Sequence, residues 1–200
     1  MHKSIYTRPN KPKSTIAPPK VELETLTVEP RAKPLVVDKS TECHVTPKAW
    51  ADLLVEYLEL EPEDQVLEPS AGTGNLVQAL IDAGHSDERI TSIEKHYTLN
   101  ESLCSRFGCG LGAMYHEDFL VWAETRIATG IKYDKIVMNP PFREVRKHIE
   151  TAMKLVRFTG YLVAIVPNSF EHPSFEELDE LPRDAFGACK VNTKIVRYQC

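Results

Sequence analysis

The first regular pattern of hydrophobic residues after residue 46 has the spacing of an α-helix. The first apolar face recurs at i, i+3, i+4, i+7 and i+8, in the order Trp50, Leu53, Leu54, Tyr57 and Leu58. This spacing places all five side chains on one side of an α-helix. Thr46 and Pro47 stand directly before it, which predicts a helix with Thr46 as its N-cap and Pro47 at its first position.

Beyond residue 60, short apolar runs alternate with longer amphipathic stretches. Strands are predicted over 64–69, 89–95, 111–118, 133–139 and 160–167, and helices over 74–84, 97–108, 119–130 and 143–157. Residues 186–191 and 193–199 are expected to form a closing antiparallel hairpin, and the acidic run 175–182 a solvated helical turn. Such alternation predicts an α/β fold: a doubly wound, mostly parallel seven-stranded sheet with helices on both faces and a C-terminal antiparallel hairpin.

The first 40 residues depart from this pattern. They contain six prolines, at positions 9, 12, 18, 19, 30 and 34, which preclude a long helix. They also hold eight Lys and Arg against four Asp and Glu, whereas the other 160 residues hold 16 against 25. We expect residues 1–40 to be a basic, Pro-rich, disordered arm, in which the alternating stretch 21–28 could add an edge strand. Residues 41–200 are expected to form one domain.

The overall composition is that of a soluble globular protein, with 42% apolar and 26% charged residues and a net charge of −5. No apolar run reaches about 18 residues, so no membrane span is predicted. The N-terminus lacks the apolar core of a secretory leader, so a cytoplasmic location is expected. The five cysteines and the histidines are scattered, which predicts neither disulfides nor a metal site.

The stretch "EPSAGTGN" (68–75) follows the first predicted strand. Two glycines at a strand-to-helix turn let a ligand approach the backbone closely. Val77 stands where a dinucleotide fingerprint has its third glycine, and no lysine completes a P-loop. The acid at the strand end would repel a pyrophosphate but attract a cationic ligand, which favours S-adenosylmethionine (SAM). The predicted cofactor-binding residues of this loop are Glu68, Pro69, Ser70, Ala71, Gly72 and Gly74.

The next two predicted strands also end on acidic residues. Glu94 lies 20 residues beyond Gly74, a spacing typical of an acid that binds the ribose hydroxyls of an adenosine-containing ligand. Asp118 could accept a hydrogen bond from the adenine amino group and also cap the following helix. Phe119 could pack on the adenine ring. We therefore add these three residues to the predicted cofactor site.

The fourth predicted strand ends in "NPPF", residues Asn139, Pro140, Pro141 and Phe142. The Asn139 carboxamide oxygen and the Pro140 carbonyl could accept the two hydrogens of a substrate amino group. The prolines would hold both acceptors in place, and Phe142 offers a face on which a flat ring could stack. In isolation the same four residues could equally be a strand terminator followed by a core Phe.

In this order, each at a strand end, these motifs resemble the class I SAM-dependent methyltransferases that modify the adenine amino group. The resemblance covers about residues 43–199. It implies a Rossmann-like fold, SAM as cofactor, Thr46 and Asn139 as further cofactor contacts, and the four NPPF residues as the catalytic group. It also implies that an adenine of DNA is flipped out of its stack against Phe142, as in restriction-modification systems.

Two features keep other readings open. Only residues 168–185 separate the fifth strand from the predicted hairpin, so a target-recognition domain is not expected, and a recognition partner or a homodimer could supply it. The net negative charge of the 160 residues after the arm argues against nonspecific electrostatic binding of nucleic acid, although the basic arm could contact phosphates. The alternatives are an RNA adenine or guanine methyltransferase, a protein-glutamine methyltransferase, and a SAM-binding subunit that works with a recognition protein.

Overall fold

A computed structural model describes residues 45–108, 110–186 and 191–200. Its helices are α1 Lys48–Glu56, α2 Asn75–Asp82, α3 Tyr97–Phe107, α4 Phe119–Ala128 and α5 Val145–Met153. Its strands are β1 Val66–Glu68, β2 Ile90–Ile93, β3 Ala113–Tyr115, β4 Tyr133–Met138, β5 Val156–Pro167, β6 Phe175–Leu181 and β7 Thr193–Gln199. The predicted arm and its edge strand over 21–28 lie outside the described residues.

The seven strands form one sheet in the order β3-β2-β1-β4-β5-β7-β6. The first five strands of that order are parallel, and β7 runs antiparallel to both β5 and β6. The predicted fold class is therefore confirmed. The chain winds outward from β1 to β3 and then returns to place β4 on the other side of β1. In such a sheet, ligands bind outside the carboxyl ends of the strands at this reversal.

Alternate side chains of the central strands feed two separate hydrophobic clusters. On β4, Val137 packs with residues of α1, α2 and α3, whereas Ile136 and Met138 pack with residues of α4 and α5. These three side chains are fully buried. Because side chains of a strand point alternately to the two faces, a strand that is apolar throughout must be covered on both. Among the described residues, no helix is both long and apolar enough to span a bilayer.

The C-terminal hairpin differs from its prediction. Strand β6, which pairs antiparallel with β7, is formed by the acidic run that was expected to be a helical turn. Residues 187–190 lie outside the described part of the chain. The spacing of Phe175, Leu178 and Leu181 imitates a helix, but a bulge between Glu177 and Asp179 skips Leu178 in the pairing and so restores the strand.

Two predicted helix limits also shift. Pro47, not Thr46, is the N-cap of α1, and its carbonyl accepts hydrogen bonds from the amides of Trp50 and Ala51. Helix α5 ends at Met153, because the chain there turns into β5. Val156 is buried in the second cluster and pairs with Tyr133, and this burial outweighs the local helical spacing.

Candidate functional site

A cleft lies at the carboxyl ends of β1, β2 and β4, and it encloses about 680 Å³ with its open mouth included. Ten of the fourteen predicted site residues line it. They are Thr46, Pro69, Ser70, Ala71, Gly72, Glu94, Asp118, Phe119, Asn139 and Pro141. The other four, Glu68, Gly74, Pro140 and Phe142, lie outside the lining. These ten residues come from five separate segments of the chain, four of which follow β1, β2, β3 and β4.

The loop between β1 and α2 is held by the backbone. The amide of Ala71 donates to the carbonyl of Ile93 at 2.9 Å, and the amide of Gly74 donates to the carbonyl of Ala71 at 2.7 Å. Gly72 and Gly74 have positive φ angles of 54° and 82°. A Cβ on Gly74 would lie 2.6 Å from Cδ2 of Leu103, so Gly74 lets α3 pack against the loop. Its role in the structure is packing beneath the cleft.

Glu68 is fully buried below this loop. Its Oε1 accepts a hydrogen bond from the amide of Ser70 at 2.8 Å, and its Oε2 is buried with no hydrogen-bond partner among the described residues. Burial raises the pKa of Glu68 to about 8, and the nearby Glu94 adds to the rise. At neutral pH this raised pKa favours the protonated form of Glu68 over the carboxylate.

Glu94, at the end of β2, is only 6% exposed and lines the cleft. Its Oε2 accepts from the amide of Gly72 at 2.8 Å, and its Oε1 accepts from the amide of His96 at 2.7 Å. These bonds tie the loop after β1 to the turn after β2. A carboxylate has about four acceptor positions, so two such bonds do not exhaust the capacity of Glu94 to bind hydroxyl groups.

Asp118 and Phe119 stand where β3 passes into α4. Asp118 is the N-cap of α4, since its Oδ1 accepts from the amide of Leu120 at 2.9 Å. The prediction of a capping role is confirmed, and the same side chain also lines the cleft. Phe119 is 3% exposed, and its ring centroid lies 6.4 Å from that of Trp122. Its position is therefore fixed by the second hydrophobic cluster.

Asn139 connects β4 to the segment that precedes α1. Its Nδ2 donates to Oγ1 of Thr46 at 3.1 Å, and the carbonyl of Thr46 accepts from Nδ2 of Asn75 at 2.7 Å. Thr46 is 6% exposed. These contacts explain why Thr46 is not the N-cap of α1, because its hydroxyl is turned towards Asn139. Three distant segments thus meet at one wall of the cleft.

The rest of the NPPF turn is divided between the cleft and the core. Pro141 lines the cleft, and Pro140 is buried behind it. Phe142 begins a 3₁₀ turn and packs against the first hydrophobic cluster. Its ring lies edge-on to that of Phe186, with the centroids 6.4 Å apart. The predicted stacking face therefore lies beside the cleft and not in its lining.

Several residues of the cleft wall were not predicted from the sequence, and among them His148 on α5 is a buried polar one. It is 5% exposed, and its Nδ1 lies 3.1 Å from the carbonyl of Glu144. Burial lowers the pKa of His148 below its usual value. The buried face of α5 comprises His148, Ile149 and Ala152. That helical spacing could have placed His148 on the inner side of α5.

Comparison with solved structures defines the class of fold. ErmE, a 23S rRNA methyltransferase, superposes with a TM-score of 0.61 at 18% identity over 76% of this chain and 68% of its own. SMU.776, described as a methyltransferase and solved in complex with S-adenosylhomocysteine (SAH), gives 0.59 at 13% identity over 78% of this chain and 50% of its own. The chain therefore has the fold of class I SAM-dependent methyltransferases.

Among curated proteins, the chain is similar to the type II restriction enzyme and methyltransferase RM.BcgI of Heyndrickxia coagulans. The two are 27% identical over an alignment that covers 78% of this chain. The chain spans 31% of the length of RM.BcgI. No protein-family model matches the sequence.

Proposed function

We propose that the chain is a SAM-dependent methyltransferase that transfers a methyl group to the exocyclic amino group of adenine in DNA. The observation that carries this proposal is the position of Asn139. It stands on a proline-rich turn, lines the cleft together with the loop after β1, and is hydrogen-bonded to Thr46. A protein that only bound a cofactor would not need an oriented carboxamide there.

The residues of the cleft fit SAM. The cleft is lined by both apolar and polar residues, as small-molecule sites are. The positive-φ glycine Gly72 allows close approach to the backbone, and Glu94 retains acceptor capacity for the ribose hydroxyls. Asp118 and Phe119 would hold the adenine. Glu68 is a buried acid with one oxygen lacking a partner, and it could ionise when a sulfonium or ammonium group lies near.

Bound SAM would supply an electrophilic methyl group, and the protein would position the amine that receives it. The amide nitrogen of Asn139 is engaged by Thr46, so a substrate amine would be bound through Oδ1. The Pro140 carbonyl would accept the second hydrogen of that amine. Two acceptors in fixed relation increase the lone-pair character of the amine nitrogen, and catalysis then rests on positioning and electrostatics. Phe142 would stack on the base once the Phe142–Phe186 contact adjusts.

DNA is favoured as the substrate by the similarity to RM.BcgI, a restriction enzyme and methyltransferase. The likeness to ErmE, a 23S rRNA methyltransferase, supports an RNA adenine as the second candidate. We further propose that residues 41–200 form the methyltransferase domain and that residues 1–40 are a basic arm that contacts phosphates. A partner protein or a second copy of the chain would provide sequence recognition.

The proposal is tested by incubating the full chain with methyl-labelled SAM and, in separate reactions, duplex DNA, single-stranded DNA, RNA and protein extract. We expect label in DNA, recovered as N6-methyladenine after nucleoside digestion, and its loss in Asn139→Ala. The matched control is Asn192→Ala, because Asn192 is exposed and outside the cleft. Label confined to RNA or to protein would sink the DNA assignment. SAM binding without transfer to any substrate would identify a binding subunit.

A further inference from the structure

His148 occupies a position that the proposed mechanism does not use. It lies on α5 in the wall of the cleft and is only 5% exposed. A carbonyl oxygen can only accept, so Nδ1 donates its hydrogen to the carbonyl of Glu144 across the observed 3.1 Å. In the neutral ring, this bond fixes the tautomer and leaves the lone pair on Nε2. Nε2 makes no hydrogen bond to a described residue.

The ring of His148 stands beside the aromatic residue that was assigned to the adenine of the cofactor. Its centroid lies 5.8 Å from that of Phe119, at an interplanar angle of 33°. Asp118, which precedes Phe119, also lines the cleft and is close enough to His148 to act on its charge. An exocyclic amine has two hydrogens, so it can be bound by two acceptors at once. Oδ1 of Asp118 accepts from the Leu120 amide and so caps α4. The adenine amine would therefore be bound by the second carboxylate oxygen, Oδ2.

Three charged groups surround His148. Asp118 lies at the start of α4, Glu144 precedes α5 and is paired with Lys147, and Lys95 follows β2. The two acids favour the protonated ring, whereas burial and Lys95 favour the neutral ring. Burial is the largest of these effects, so the pKa of His148 lies below its usual value. The lone pair on Nε2 is therefore present at neutral pH and is lost on acidification.

We propose that His148 is a cofactor-binding residue, whose Nε2 accepts a hydrogen bond from the exocyclic amine of the adenine ring of SAM alongside Asp118. This inference rests on the proposed function, since it requires that the cleft bind SAM. In this role His148 would select a purine with an exocyclic amine, as in adenine, over one with a carbonyl at the same position. Inosine-containing analogues, which carry an oxygen there, would face two acceptors and be rejected.

The first measurement is SAH binding to the unmodified protein by calorimetry at pH 8. Absence of binding would overturn the proposed cofactor and with it this inference. If SAH binds, its affinity is compared with that of S-inosylhomocysteine, in which a carbonyl replaces the amine. His148→Phe keeps an aromatic ring but removes the acceptor, and we expect it to weaken SAH about three- to tenfold. The preference for SAH over the inosine analogue should shrink by a similar factor.

The matched control is His85→Phe. His85 is also buried, also has a ring nitrogen near a backbone carbonyl, and also has a pKa lowered by burial, but it lies outside the cleft. We expect this variant to keep the affinity and the preference of the unmodified protein. His148→Gln, which retains an acceptor, should recover part of the preference and serves if the Phe variant does not fold.

Titration provides a readout that packing alone would not change. SAH affinity of the unmodified protein should fall as pH drops through the pKa of His148, because protonation turns Nε2 into a donor that faces an amine. In His148→Gln this component should vanish. An unchanged preference for SAH in both His148 variants would show that His148 only packs against Phe119. Loss of DNA affinity with intact SAH affinity would place His148 on the substrate side and also overturn the inference.

Discussion

The side-chain amide of Asn139 donates to the hydroxyl of Thr46 across 93 residues of sequence, at an Nδ2–Oγ1 distance of 3.1 Å. The carbonyl of Thr46 in turn accepts from Asn75 in the first turn of α2. Thr46 thereby joins the NPPF turn to the helix that follows the loop after β1. Its hydroxyl fixes which end of the Asn139 amide points away from the segment before α1.

Thr46→Val removes the hydroxyl while it keeps the shape of the side chain. We expect the methyl-transfer rate at saturating SAM to fall about three- to tenfold, because the orientation of Asn139 is no longer fixed. The free energy of unfolding should fall by about 1 kcal/mol, since the buried amide loses a partner. Steady-state kinetics and urea denaturation measure the two effects.

Thr46→Ser is the control, because it retains the hydroxyl. It should keep most of the rate and most of the stability. If Thr46→Val keeps the rate of the unmodified protein, the hydrogen bond from Asn139 to Thr46 does not contribute to the rate. If Thr46→Ser loses as much rate as Thr46→Val, the methyl group of Thr46 contributes as much as its hydroxyl.

The hydrogen bond between Asn139 and Thr46 could not be predicted from the sequence, although the start of the helix could. Thr46-Pro47 correctly predicted that a helix begins there, because capping preferences are local. The partner of the Thr46 hydroxyl was out of reach, because it lies on a strand 93 residues away and is brought near only by the fold. The sheet order could be anticipated from alternating elements, and strand ends then collected most of the cleft-lining residues at one edge.

Strand β6 was predicted wrongly, as a helical turn. Its acids suggested a solvated turn, but cations from elsewhere compensate them: Lys194 pairs with Glu177 at 2.7 Å and Arg197 with Glu176 at 3.1 Å. Tyr57, the C-cap residue of α1, also donates to Asp179. The strand becomes favourable only once β7 lies beside it, so a local pattern could not predict it.

Gly74→Ala tests the packing below the cofactor loop. The new Cβ would lie 2.6 Å from Leu103 and 2.7 Å from Phe107, and φ is +82°. We expect a loss of about 2–5 kcal/mol in the free energy of unfolding, from the left-handed backbone and from overpacking together.

Gly84→Ala is the matched control, since its φ is +87° but no atom lies within 4 Å of the new Cβ. It should cost only the backbone contribution, about 1–2 kcal/mol. Denaturation of both variants measures the difference. Equal losses would mean that α3 yields to the extra methyl group and that packing does not require glycine at this position.

Glu68→Gln tests the buried acid. Burial raises the pKa of Glu68 from 4.5 to about 8, so the folded protein keeps a proton that the unfolded chain releases between these values. The unfolded state then binds fewer protons, and this group lowers the free energy of unfolding as pH rises from about 4.5 to 8. Gln keeps the acceptor for the Ser70 amide and cannot ionise, so its advantage over the unmodified protein should grow with pH.

Urea denaturation at pH 6, 7, 8 and 9 checks this expectation. The difference in free energy between Glu68→Gln and the unmodified protein should rise by about 1 kcal/mol per pH unit and level off above pH 8. Glu101→Gln, at an exposed position of α3, should show no such trend. A flat difference for Glu68→Gln would mean that the carboxylate is already ionised in the folded protein.

Asp118 combines two roles that substitutions can separate. Its Oδ1 caps α4 by accepting from the Leu120 amide at 2.9 Å, and the side chain lines the cleft. Asp118→Ala removes the cap and should lower the free energy of unfolding by about 1 kcal/mol, with weaker SAH binding.

Asp118→Asn can keep the cap through Oδ1, but its Nδ2 then replaces the second carboxylate oxygen. A donor would face the adenine amine, so we expect near-normal stability together with SAH binding about tenfold weaker. Denaturation and calorimetry on the two variants give both quantities, and normal SAH affinity in Asp118→Asn would reduce Asp118 to a helix cap.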